Sequence, residues 1–298
     1  MRTVYTPDQL HELADHKLLY GTVGPVDYRS PAADLLEAGL TGLEIDAPCI
    51  RIEVNPEALP ECLEHMRELP FAGWMAAPAF ESALCDSMDA LGESAQTLKS
   101  VNTIIRDDNT WIGFNSFGEG WVRAIRQELC LDVRDLKVLI IGTDGMGLKL
   151  ARQAASEGCE RLVLTDPHSL ESAQLLIKEL RDRFVSEKLL GAHERLVAAP
   201  FLPEHLEREL NATDLLVNGT PLGMKPTDPP VLNDRLLQPH LCVMDMLCRP
   251  TRFQDSARKA GARASNGLLT RLHEAAVTLE LWTGRSAPLP AMRSALKS

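Results

Sequence analysis

Val138-Leu139-Ile140-Ile141-Gly142-Thr143-Asp144-Gly145-Met146-Gly147 runs from four apolar residues into a glycine-rich turn spaced Gly-x-x-Gly-x-Gly. The apolar run predicts a buried strand and the residues after it a helix. The turn therefore falls where a helix N-terminus offers free N–H groups and the positive end of its dipole. Glycines at such a turn let the backbone approach a pyrophosphate. Asp144 is the awkward member, because its carboxylate would lie near phosphate charge unless it points to solvent or caps the helix. Asp166, in Leu164-Thr165-Asp166-Pro167, closes the next expected strand. A carboxylate about 20 residues past the first glycine accepts hydrogen bonds from ribose hydroxyls and repels a 2′-phosphate. Together the two segments point to a dinucleotide, with NAD preferred over NADP. An ordinary strand–turn–helix with an aspartate cap would use the same residues.

The elements that must position these groups alternate along the chain. Thr6-Pro7-Asp8-Gln9 offers an N-cap, a proline at the first helical position and a capping-box Gln. Strands are expected at Leu18–Val23, Leu43–Ile45, Gly73–Ala77, Val101–Arg106 and Trp111–Phe114, with helices at Pro31–Ala38 and Pro56–Arg67. A helix over Glu119–Cys130 leads into a second series. Its strands are Lys137–Ile141, Arg161–Thr165, Arg195–Ala198, Asp214–Asn218 and Cys242–Met246, and its helices Met146–Glu157, Ser169–Leu190 and Pro203–Leu210. Such alternation predicts an α/β fold with a parallel sheet covered on both faces. The basic stretch Arg249–Arg263 reads as a solvated helix face, and a last helix, Leu268–Thr283, follows Gly267.

Composition narrows the classes. The 298 residues exceed one typical domain, so two are expected. With 45% hydrophobic and 24% charged residues the chain is neither a disordered tail nor a low-complexity fibre. Thirty-one Lys and Arg against 42 Asp and Glu leave a net charge of −11, which argues against nucleic acid as a partner. No apolar run approaches the roughly 18 residues that span a bilayer. The first twenty residues contain no signal-peptide core, so a cytoplasmic protein without a membrane partner is expected. Seven cysteines without a CxxC pair read as reduced thiols. His11 and His16 stand five apart, about 140° around a helix, so they do not share a metal, and no metal site is expected.

Several segments, in order, resemble the shikimate/quinate dehydrogenase family. Ser100-Val101-Asn102-Thr103 with Gly113-Phe114-Asn115-Ser116 is similar to that family's Ala-Val-Asn-Thr and Gly-x-Asn-Thr-Asp. Asn218-Gly219-Thr220-Pro221-Leu222-Gly223-Met224 resembles Asn-Ala-Thr-Pro-x-Gly-Met, the most specific match. Asp245 to Thr251, Glu280 to Gly284 and Arg29-Ser30-Pro31 also fit. The resemblance implies a substrate-binding α/β domain of residues 1–118 and 268–298, with a C-terminal helix packed back on it. A Rossmann doubly wound parallel-sheet domain of residues 119–267 would bind NAD(P). It further implies that Gly142, Thr143, Asp144, Gly145, Met146, Gly147, Asp166, Thr220, Met244 and Gly267 line the cofactor. Ser30, Asn102 and Asn115 would face a small cyclic hydroxy or keto acid. A monomer or homodimer is expected.

The same resemblance exposes a break. The family's catalytic Lys stands in Asn-Val-Thr-x-Pro-x-Lys and pairs with the Asp of Asn-Thr-Asp. Anchored on Pro78, the first position is Phe80, and the second is Phe117. Tyr28, Trp74, Ala76, Thr270 and Glu274 replace a serine, an asparagine, a threonine, a methionine and a glutamine of the family pattern. An acid–base residue contributes roughly 10²–10⁴ in rate, and Phe transfers no proton. The expected pocket is thus rebuilt around Tyr28, Ser30, Phe80, Asn102, Asn115, Phe117 and Glu274. Tyr28 is a candidate proton-transfer group or a polar wall. Glu274 is a base, a partner for a cationic group, or a solvated helix-face residue. Glu81 and Glu119 flank the two Phe positions but are displaced along the chain. Asp245 reads as structural. Three functions stay open: an oxidoreductase with altered substrate choice, a catalytically silent ligand-binding or regulatory protein, and an enzyme that uses its cleft for chemistry other than hydride transfer.

Overall fold

The computed structural model describes residues 4–184 and 192–296. The chain forms two compact units, Met1–Trp121 with Arg271–Ser298, and Val122–Thr270.

The first unit holds a sheet of seven strands: β1 (Val4–Tyr5), β2 (Leu19–Gly24), β3 (Cys49–Glu53), β4 (Phe71–Ala76), β5 (Ala90–Leu91), β6 (Thr103–Asp107) and β7 (Thr110–Phe114). Their order is β1-β3-β2-β4-β6-β7-β5. The first four in that order run parallel, and β6 is antiparallel to both β4 and β7. Helices α1 (Ala32–Gly42), α2 (Leu59–Glu68) and α3 (Glu93–Leu98) connect the strands, and α4 (Phe117–Glu128) follows them. The capping box at Thr6 opens a short 3-10 helix, Pro7–Leu13, with the Thr6 N–H donating to Gln9 Oε1 at 3.2 Å.

Period-two alternation gives the sheet two different faces. Along β3, Ile50 and Ile52 are buried in one core with Phe71, Trp74, Phe80 and Trp111, while Cys49, Arg51 and Glu53 alternate with them and are only partly buried. A second core holds Tyr20, Leu35, Leu36, Met75, Leu272, Leu279 and Trp282.

The strand expected at Leu43–Ile45 does not form. Those residues are the exit of α1: the Leu43 N–H bonds to the Gly39 and Leu40 carbonyls, Glu44 adopts φ 56°, and the Ile45 N–H returns to Leu40 O at 3.0 Å. This left-handed closure satisfies the last helical carbonyls. The strand lies further on, at β3, where Ile50-Arg51-Ile52-Glu53 carries the alternation.

The second unit is a six-stranded parallel sheet: β8 (Lys137–Ile141), β9 (Arg161–Thr165), β10 (Leu196–Ala198), β11 (Leu215–Asn218), β12 (Cys242–Asp245) and β13 (Arg263–Asn266). The order β10-β9-β8-β11-β12-β13 is the doubly wound arrangement, whose direction reverses between β8 and β11. Val138 to Ile141 are all buried, as a central parallel strand requires. Its helices are α5 (Gly145–Glu157), α6 (Leu170–Phe184), α7 (Ala192–Arg195), α8 (Pro203–Leu210) and α9 (Arg252–Lys259). The expected helix Ser169–Leu190 is found as α6, and its part beyond residue 184 lies outside the described residues. The stretch Arg249–Arg263 is helical only over α9 and then enters β13. That edge strand pairs on one side, so Arg263 is exposed and no apolar run marks it.

Two helices end the described chain, α10 (Leu268–Thr283) and α11 (Leu289–Ala295). From Arg271 onward α10 belongs to the first unit. There Trp282 stacks on Tyr20 with ring centroids 4.9 Å apart, and its indole N–H donates to Ile104 O at 3.0 Å. Gly73 on β4 leaves the room, since a Cβ at that position would overlap the Trp282 ring. No helix among the described residues is long and apolar enough to cross a membrane.

Candidate functional site

In the second unit the carboxyl ends of β8 and β11 flank the point where strand order reverses, which is where open α/β sheets bind ligands. Gly142 follows β8 at φ 101° and donates its N–H to Thr165 O at 2.9 Å. A Cβ on Gly147 would collide with the Gly142 carbonyl, and one on Gly219 would lie 2.8 Å from Gly147 Cα. Only glycine lets α5 seat this tightly against the loop. Asp144 occupies the N-cap of α5, makes no side-chain cap bond, and is exposed. It thus takes the solvent-facing option. Gly145 is also exposed, and a Cβ there would meet nothing within 4 Å. The leading N–H groups of α5 have no partner within the helix. A diphosphate fits this turn.

Asp166 organises the loop. Its Oδ2 accepts from the Thr143 N–H at 3.1 Å and the Thr143 hydroxyl at 2.8 Å, and its Oδ1 from the His168 and Ser169 N–H groups at 2.8 and 3.1 Å. Burial alone would raise the carboxyl, but these hydrogen bonds outweigh it and hold the pKa below the usual aspartate range. Four donors fill a carboxylate's in-plane capacity. Any further hydroxyl donor would therefore have to displace one of them.

The Asn218 motif forms an Asx turn. Asn218 Oδ1 accepts from the Thr220 N–H and hydroxyl at 3.1 and 2.7 Å, while its Nδ2 donates to Asp245 Oδ1 at 3.0 Å. Asp245 is fully buried and also accepts from Thr251 and Gln254. Its role is to hold β11, β12 and the start of α9 together. Met244 is fully buried within β12. Gly267 sits where a Cβ would overlap the Met246 carbonyl.

The first unit contains a narrow cavity lined by Tyr28, Ser30, Arg51, Glu81, Arg271 and Glu274, among others. The ring of Tyr28 lies against Gly24, where a Cβ would come within 2.8 Å of it. Ser30 Oγ accepts from the N–H of Ala32, the first residue of α1, at 3.2 Å. Burial raises the Tyr28 phenol; the Arg271 charge and a hydrogen bond with Ser30 pull it down, and Glu274 and Glu81 raise it further.

Glu274 is only 1% exposed and is not a solvated helix-face residue. Asn102 Nδ2 donates to its Oε1 at 2.8 Å and Arg271 to its Oε2 at 2.5 Å. Glu81, 3% exposed, accepts from the Ser100 hydroxyl at 3.1 Å.

Asn102 and Asn115 do not line the cavity. Asn102 Oδ1 takes the Ser116 N–H at 2.8 Å and the Thr103 hydroxyl at 3.0 Å. Asn115 bonds to Ser100 through its Nδ2 and accepts the Phe117 N–H at 3.0 Å. Phe80 lies in the apolar core of the unit and Phe117 is 1% exposed at the start of α4; neither lines the cavity.

Sequence reasoning gave no weight to Arg51 and Arg271 and set Glu81 aside. The usable signals were the i,i+3 spacing of Arg271 and Glu274 and the place of Arg51 between two buried isoleucines.

No family model matches the chain. A shikimate dehydrogenase (NADP(+)) of Methanopyrus kandleri is 30% identical over 282 residues, covering 93% of each chain. Among solved structures, a shikimate 5-dehydrogenase from Listeria monocytogenes in complex with shikimate and NAD superposes with TM-score 0.83 at 23% identity, covering 95% of this chain and 97% of that one. A 5-ketofructose reductase of a Gluconobacter species reaches TM-score 0.81 at 22% identity, over 95% and 99%. With a relative that similar over almost its whole length, the chain belongs to the shikimate dehydrogenase family.

Proposed function

We propose that this protein is a nicotinamide-dinucleotide-dependent oxidoreductase that interconverts alcohol and ketone on a small cyclic hydroxy or keto acid, without a lysine–aspartate pair. The observation that carries this reading is the glycine turn between Gly142 and Gly147, packed so closely that only glycine fits, at the reversal point of a doubly wound sheet in a member of this family. The bound nicotinamide would exchange a hydride with the substrate carbon. The cavity of the first unit would hold the substrate, with Tyr28 handling the proton at its oxygen. Because burial keeps the phenol protonated at neutral pH, Tyr28 serves as donor in the direction of carbonyl reduction. The guanidinium of Arg271 would ease formation of the phenolate.

NAD is preferred over NADP in this reading, because the Asp166 charge disfavours a 2′-phosphate. Calorimetric titration of the full chain with NAD and NADP, then a screen of shikimate, quinate and less hydroxylated cyclic acids for reduced-nicotinamide absorbance, tests it. NAD binding tighter than NADP, with turnover of at least one acid, is expected. If neither nucleotide binds at millimolar concentration, the proposal fails.

A second reading, a silent ligand-binding or regulatory protein, draws its support from Phe80 and Phe117, which take both ionisable family positions into apolar surroundings. Ligand binding without turnover of any alcohol would favour it.

A further inference from the structure

The motif residues that resemble a substrate-binding set are used here for a different purpose. Ser100 donates to Glu81 and is itself held by Asn115 Nδ2 at 2.6 Å; Asn102 donates to Glu274 and is held by Ser116 and Thr103. Thr278 Oγ1 donates to Ser116 Oγ at 2.9 Å and anchors the second relay on α10. Two buried polar relays thus each orient one carboxylate on the wall of a single cavity.

Burying a carboxylate is costly unless donors or a cation compensate it. Arg271 compensates Glu274, and Arg29 pairs with Glu53, another lining residue, at 3.0 Å. Both buried carboxylates line this one cavity, together with Tyr28. Ionised carboxylates only accept hydrogen bonds. A ligand group between them must therefore be a donor, and a cation is favoured over a neutral one. The side chain of Arg51, also on the wall, makes no hydrogen bond or ion pair among the described residues. Its guanidinium is a fork suited to a carboxylate.

We propose that the cavity takes a zwitterion, a small hydroxy acid that also carries a protonated amine, with the ammonium against Glu81 and Glu274 and the acid group toward Arg51. This names the substrate class of the oxidoreductase proposed above and rests on that assignment for the chemistry, but not for the binding. Glu274 and Glu81 are the specificity-determining residues.

The test is calorimetry on the full chain without nucleotide, using an aminocyclohexanecarboxylate and the hydroxycyclohexanecarboxylate of the same substitution pattern. The amino acid should bind at least about tenfold more tightly, the scale of one charge-assisted contact. Glu274→Gln and Glu81→Gln should each shrink that ratio, and Arg51→Met should weaken both compounds alike. Raising the pH through the ligand's amine pKa should also erase the preference, a readout that a purely structural role for Glu274 would not move. Equal affinities, tighter binding of the hydroxy compound, no binding of either, or a ratio unchanged in both glutamine variants overturns the proposal. Should Glu274→Gln not fold, Glu81→Gln and the pH series decide. Nucleotide binding and turnover are measured separately, so a protein that binds the amino acid without reducing any ketone would sink the oxidoreductase and leave the zwitterion site standing.

Discussion

Phe80 and Phe117 stand where the family pattern has its ionisable pair, and both are at least 98% buried. Restoring the pair by Phe80→Lys with Phe117→Asp would place charges in apolar packing rather than in the cavity. The double variant should lose more than about 3 kcal/mol of stability, read from the urea midpoint, and gain no shikimate turnover. Turnover without loss of stability would mean that these positions reach the substrate after all. Asp166 invites a different test. Its folded pKa is depressed, so the stability it contributes is present above the unfolded value of about 3.9 and is lost as pH falls through the folded value. Asp166→Asn should flatten the acid limb of a pH–stability curve in that window. By removing the charge it should also narrow the NAD-over-NADP preference by about tenfold. An unchanged nucleotide ratio would separate the loop-stapling role of Asp166 from any role in cofactor choice.

The elements were legible in the sequence where a single signal dominated. The apolar run Val138–Ile141, the helix Pro203–Leu210 with its N-terminal proline and the Gly142 turn are found where the pattern puts them. Leu43–Ile45 misleads because an apolar pair serves a helix exit as well as a strand, and only the left-handed turn at Glu44 distinguishes them. Arg263–Asn266 is hidden because an edge strand needs no buried face. At the site, the motif residues could be found in the sequence, but the direction of their side chains could not. Asn102 and Asn115 turn toward protein groups because Glu274 and Ser100 offer partners from elements remote in the chain, up to 172 residues away. Likewise the docking of α10 depends on the missing Cβ atoms of Gly39, Gly73 and Gly120. Gly73→Ala should push Trp282 off Tyr20 and cost about 1–3 kcal/mol as overpacking, seen as a lower thermal midpoint. An unshifted midpoint would show that the helix end yields without cost.

Each unit has its own buried apolar residues: Leu139, Val163, Leu216 and Val243 share a core in residues 122–270, while Ile52 and Trp74 on one side and Tyr20 and Met75 on the other anchor cores of the first unit. A ligand that binds only the folded form stabilises what it touches by mass action, about 2.7 kcal/mol at a hundredfold excess over Kd. The nucleotide turn and the acidic cavity draw on different elements, so the two ligands should leave separate footprints. In hydrogen exchange, NAD should slow amides around 142–147, 166–169 and 218–220, where the loop bonds of Asp166 and Asn218 lie. The aminocyclohexanecarboxylate should slow amides of α1's first turn and of the segment after β4 that carries Glu81. Protection by NAD confined to the 24–30 and 76–81 segments would contradict the assignment of the nucleotide to the glycine turn. It would instead make the acidic cavity the dinucleotide's site, an outcome its buried carboxylates argue against, since they would face the diphosphate with like charge.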